Sequence, residues 1–80
     1  MLRPYWVQLA RRPEPTPLNI GIGVTAASEE ESRAMVLQAV EDADIVSVSP
    51  VLDATELDQG HVVPNMGNLL VRGIWFPLGY

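Results

Sequence analysis

The sequence predicts an α+β fold, β-β-α-β followed by one or two short C-terminal strands, with one helix packed on a mixed sheet. Three observations carry that prediction. Residues 4–10 and 19–26 alternate along the chain with a period of two. A serine cap opens a stripe of three-and-four spacing from residue 28 onward. With 80 residues there is room for one core, since a chain of this size buries roughly 60 to 65% of its unfolded surface, so residues 1–80 read as a single domain. Apolar residues make up 48% of the chain, which marks it as globular rather than disordered.

The first strand is Pro4 to Ala10, PYWVQLA. Tyr5, Val7 and Leu9 give it one apolar face, and Trp6 points the other way, toward the helix or toward the Gly21 and Gly23 backbone depending on register. Arg11 to Leu18, RRPEPTPL, reads as a long hairpin loop, because alternate prolines suit a stiff extended connection and cannot form a ladder. In Asn19 to Ala26, Ile20, Ile22 and Val24 are core positions and Gly21, Gly23 and Thr25 face the other side. Glycine within a strand marks a bulge or a close approach of another group. Either Trp6 or Trp75 packs across these glycines, or their bare backbone is a docking surface; Gly21 and Gly23 are therefore candidate binding positions.

Ser28 with Glu31 three residues on is a capping box, and Glu29, Glu30 and Glu31 set negative charge at the positive end of a helix. Ser32, Met35, Val36, Ala39, Val40 and Ala43 form its inward stripe, with Leu37 off it. Ile45 to Asp53, IVSVSPVLD, is a third strand in which Val46 and Val48 share a face and Ser47 and Ser49 share the other. Pro50 ends it or places it on a sheet edge. It runs parallel to the second strand, beside that strand or the first. Asp53 to Gly60 is a turn or a single helical turn, and HVV and LLVRGIWF are extended pieces joined by a turn at Pro64 to Asn68. Of Trp75 and Phe76, one is expected in the core and the other at a surface.

Ten acids against five arginines give a net charge of minus five. Phosphate backbones repel such a chain, so nucleic acid is excluded as a partner and a basic protein is favoured. There is no cysteine, no secretory signal run and no apolar stretch of membrane-spanning length, which points to a cytoplasmic protein with no membrane association. His61, with Asp53, Glu56 and Asp58 before it, matches no metal-ligand spacing and reads as part of a solvated acidic turn. No serine sits in a nucleophile elbow. The glycines of GIGVTAAS lie inside a strand with three glutamates beyond them, so no phosphate, and no cofactor, is expected there. His61, Asn65, Arg72 and Trp75 are the remaining binding candidates, since they combine hydrogen-bonding capacity with aromatic area.

With the blocks GIGVTA, HVVPNMG and RGIWFP identified, the chain resembles a family of small bacterial proteins that carry them in this order, from Tyr5 to Pro77. The resemblance implies one compact bacterial domain and brings no activity or catalytic residue with it. The functional expectation is a protein–protein interaction module, an immunity-type inhibitor of a basic toxin being one form of it. Two alternatives stand beside it. One is a small-molecule-binding protein or simple enzyme whose pocket gathers His61, Asn65, Arg72 and Trp75; the other is a structural subunit of a homo-oligomer that joins through a strand edge.

Overall fold

A strand is buried on both faces only when something covers each of them, and all five residues of the second strand here are buried. The computed structural model describes residues 1–52, 57, 59–60 and 62–77, with Asn65 described through its backbone. Its elements are β1 (Arg3–Leu9), β2 (Ile22–Ala26), α1 (Glu29–Ala39), β3 (Ile45–Pro50) and β4 (Gly73–Phe76). They form one four-stranded sheet in the order β3-β1-β2-β4. The expected mixed sheet is antiparallel at every neighbouring pair. β2 and β3 do run parallel, as a strand-helix-strand succession requires, but β1 lies between them.

α1 covers one face. Val7, Leu9, Ile22, Val24 and Ala26 from the sheet meet Val36 and Val40 from the helix, with Leu18 and Ile45 closing the sides. Ser28 caps the helix, its Oγ accepting from the Glu31 N–H at 3.1 Å. Ser32 is fully buried, and its hydroxyl donates to the Glu29 carbonyl at 2.6 Å. The inward stripe is shorter than the spacing predicts: the helix ends at Ala39, which is exposed, and Val40 is already extended. Arg12 completes that end by donating from Nη2 to the Glu41 carbonyl at 3.1 Å, a cation where the helix dipole favours one.

The other face is covered by a second layer built from the chain after β3. Val51, Leu57 and Val62 pack there on Trp75 and Phe76, with Trp6, Ile20, Met66 and Leu69 around them. Thr25, on this side of β2, ties the layer down through a 2.6 Å bond to the Leu69 carbonyl. HVV and LLVR are not extended among the described residues: Val63–Asn65 is a 3₁₀ turn, and residues 69–72 turn before β4 begins at Gly73.

Two bulges correct the predicted faces. In β1–β3 pairing, Gln8 matches Ser47 while Leu9 matches Ile45, so Val46 is an extra residue. Ile45 and Val48 therefore both pack on the helix-side core, and Val46, 65% exposed, does not share the face of Val48. In β2–β4 pairing, Gly23 matches Phe76 and Val24 matches Ile74, which makes Trp75 the extra residue. A bulge lets consecutive side chains leave on one side. Trp75 and Phe76 are both 2% exposed, rather than one in the core and one at a surface. Ile20 differs as well: Gly21 has φ +136°, which breaks the alternation and sends Ile20 into the second layer, away from Ile22 and Val24.

Candidate functional site

The glycine face of β2 is covered by two indoles. A Cβ at Gly21 would lie 2.6 Å from Trp6 Cε2 and 2.7 Å from its Nε1, and one at Gly23 would meet the Trp75 ring at similarly forbidden range. Gly21 and Gly23 thus expose no bare backbone for docking; they are the seats of two aromatic rings. Trp6 stands 6.1 Å from Trp75 and 5.7 Å from Phe76, centroid to centroid, at tilts of 44° and 30°, distances at which aromatic pairs attract. Trp6 Nε1 donates to Gln8 Oε1 at 3.4 Å. Trp75 Nε1 is buried with no acceptor among the described residues, an unmet cost that the packing of its ring has to outweigh.

The candidates His61, Asn65, Arg72 and Trp75 are only partly placed. His61, like the acidic residues Asp53, Glu56 and Asp58 before it, lies outside the described residues, as does the side chain of Asn65. Arg72 and Trp75 both border a hollow of about 230 Å³ beside Gly67 and Asn68. The Arg72 guanidinium is turned away to Glu31, with Nε 3.1 Å from Oε1. The same Oε1 accepts the Ala27 N–H at 3.0 Å. Arg72, then the Ala27 N–H, hold the Glu31 carboxyl below its ordinary value of 4.5, against a smaller opposing effect of burial. Arg72 thus neutralises the acidic start of α1, joining the turn before β4 to a helix 41 residues earlier. Among the described residues, no three His, Asp or Glu side chains converge as a metal site requires.

No family model, curated protein or solved structure matches the chain. A functional reading therefore rests on its surface and its hollows.

The charge of that surface is uneven. Residues 29–44 carry six acids and Arg33, which is the whole net charge of minus five, while the rest of the chain balances four arginines against four acids. Glu29, Glu30, Glu41, Asp42 and Asp44 are exposed. Glu30, Ala34 and Leu37 recur at three-and-four spacing along the outer side of α1, and Leu37 is 57% exposed. Counting acids in the sequence signals the excess and its place in the chain; the fold shows which of these acids in α1 and its exit are exposed. A hollow of about 370 Å³ lies elsewhere, in the second layer beside Trp6. Its walls come from β1, the turn before β2, β3 and the segments after β3, and no local sequence pattern announces such a gathering. Among the described residues no helix is long and apolar enough to cross a membrane.

Proposed function

We propose that the chain is a cytoplasmic protein–protein interaction module whose acidic helix side receives a basic partner. The observation that carries this reading is the concentration of net negative charge in residues 29–44, where Glu29, Glu30, Glu41, Asp42 and Asp44 are exposed and Leu37 is exposed among them. Charges gathered on one side steer an oppositely charged protein into encounter, and an apolar centre within a charged rim is the usual anatomy of a protein contact. An immunity-type inhibitor that lays this side over the basic site of a toxin is the particular form we favour, because a domain of this size has enough surface to cover one active site.

Salt and charge neutralisation test the reading together. The tagged chain is used for capture from its native cells at about 0.05 M and 1 M salt, where screening lengths fall from above 10 Å to about 3 Å, with retained proteins identified by mass spectrometry. The expected result is a basic protein held at low salt, released at high salt, and lost to a Glu30→Gln, Glu41→Gln, Asp42→Asn variant. Retention that is indifferent to both changes, or capture of no basic protein, refutes it.

A further inference from the structure

Seven large apolar side chains are exposed among the described residues, and five of them, Met1, Leu2, Leu52, Leu70 and Val71, come from one end of the sheet. The strand registers put them there. β1 starts at Arg3 opposite Ala26, the last residue of β2, and β4 starts at Gly73 opposite Thr25. Leu52 follows Val51, whose N–H bonds the Pro4 carbonyl beside that same start. With neighbouring strands about 4.8 Å apart, four strand ends span about 14 Å, so these side chains share one margin. A single exposed leucine is ordinary, but a gathered set marks a contact surface.

The margin is also held in shape. Leu70 is 84% and Val71 59% exposed, yet the turn that carries them is tied at each step. The Thr25 hydroxyl fixes the Leu69 carbonyl on the second-layer side. Asn68 accepts the Leu70 N–H on Oδ1 at 2.8 Å and the Val71 N–H on its carbonyl at 3.4 Å. Arg72 joins Glu31 on the helix side. Apolar side chains already fixed before a partner arrives lose little freedom on docking. The charges beside them are of both signs. Glu29 is paired with Arg33 at 3.5 Å and Glu31 with Arg72 at 3.1 Å, while Arg3 at the start of β1 and Glu30 in the first turn of α1 are exposed, one cation and one anion. A surface with one charge of each sign beside an apolar centre is complementary to itself under a two-fold rotation. The acids at the exit of α1 begin a helix length beyond Glu30, about 15 Å. That exceeds the screening length of about 8 Å, so they do not keep two copies apart.

We propose that this margin is the interface of a two-fold dimer of the chain, in which Leu2, Leu70 and Val71 of the two copies meet and Arg3 of each copy pairs with Glu30 of the other. The dimer does not depend on the basic partner proposed above. It shares Glu30 with the acidic side of α1, but Leu70 and Val71 lie outside that side, so substitutions there separate the two surfaces.

The test is sedimentation velocity of the intact chain from about 1 μM to 1 mM, a range that brackets moderate and weak association. The expected result is a reversible monomer–dimer equilibrium. Leu70→Glu and, separately, Val71→Glu raise its dissociation constant at least about tenfold. Both positions are exposed, so melting curves of these variants at low concentration match the parent's. Arg3→Glu alone and Glu30→Arg alone weaken the dimer, and the two together restore it. Leu37→Glu, on α1 and away from the margin, leaves it unchanged. A chain monomeric throughout the range, a dimer indifferent to Leu70→Glu, or a double exchange no tighter than either single one overturns the proposal.

Discussion

Replacing Gly23 by alanine tests the central packing claim of the fold, that β2 carries glycine because an indole needs the space. The added methyl would lie well inside the 3.0 Å limit from three ring atoms of Trp75, so the ring must retreat by about 1 Å to regain ordinary contact at roughly 3.5–4.0 Å. It has little room: Trp75 and Phe76 are 2% exposed and Val62 is 1% exposed. Overpacking of this kind costs about 1–3 kcal/mol, and the rigidity of the ring and its backing put this site at the upper end. Alanine recovers about 0.5–1 kcal/mol in chain entropy, which leaves a net loss of about 2 kcal/mol. For a domain this small, 1 kcal/mol shifts Tm by about 4–8 °C, so the expected drop is about 8–16 °C by calorimetry or thermal circular dichroism. The cause is isolated by repeating the substitution in a Trp75→Leu background, where the methyl finds space and most of the loss disappears as a coupling energy of at least about 1 kcal/mol. A Gly23→Ala protein that melts within about 2 °C of the parent, or loses as much with Leu at 75 as with Trp, refutes the reasoning.

Three further outcomes follow from named contacts. Ser28→Ala removes the acceptor of the Glu31 N–H and is expected to cost about 1 kcal/mol, seen as a lower denaturation midpoint with an unchanged slope. Asn19→Ala releases the proline loop, because the Asn19 side chain accepts from Arg12 N at 2.7 Å and donates to the Arg12 and Glu14 carbonyls at 3.2 Å; trypsin then cuts after Arg11 faster than in the parent, while Arg12, followed by Pro13, stays resistant and the cuts after Arg33 and Arg72 keep their rates. Glu31 sets the pH response: its carboxyl is held below 4.5 when folded, so its stabilising contribution is complete at neutral pH and is lost as pH falls below 4.5 through the folded value. Arg72→Met removes the larger cause of that depression, and Tm curves of parent and variant, separated at pH 7, are expected to converge as the carboxylate is protonated.

What could be read from the chain without coordinates was local. Ser28, Glu31 and the stripe through Ser32 and Val36 lie within a few residues of one another, and the helix they predict is the helix observed. The pairing of indole with glycine was also within reach, because a strand that gives up side chains at two alternate positions needs something large and flat to replace them; both tryptophans take that role. The bulges were not legible. Val46 and Trp75 become extra residues only when β1 and β2 supply their registers, and no spacing within IVSVSP or GIWF encodes that relation. Of the binding candidates, Arg72 has no neighbour in the chain that points to its partner, since Glu31 lies 41 residues earlier. The hollow beside Trp6 was least legible, since its walls meet only after the second layer folds over the sheet.

The bulge at Val46 and the proline at position 50 have a consequence for the fate of the protein at high concentration. β3 is an edge strand without a charged side chain, the kind of border on which a second chain can be laid down and a fibril begun. The Val51 N–H bonds the Pro4 carbonyl at 2.9 Å, and the alternation of an antiparallel ladder then turns the N–H and C=O of Val48 and the C=O of Pro50 outward. Pro50 has no N–H to offer, and the bulge throws the strand out of step at Val46, so an incoming strand finds a complete donor and acceptor at Val48 and no regular continuation to either side. The chain thus guards its uncharged border with backbone geometry rather than with charge, which gathers instead on α1 and its exit.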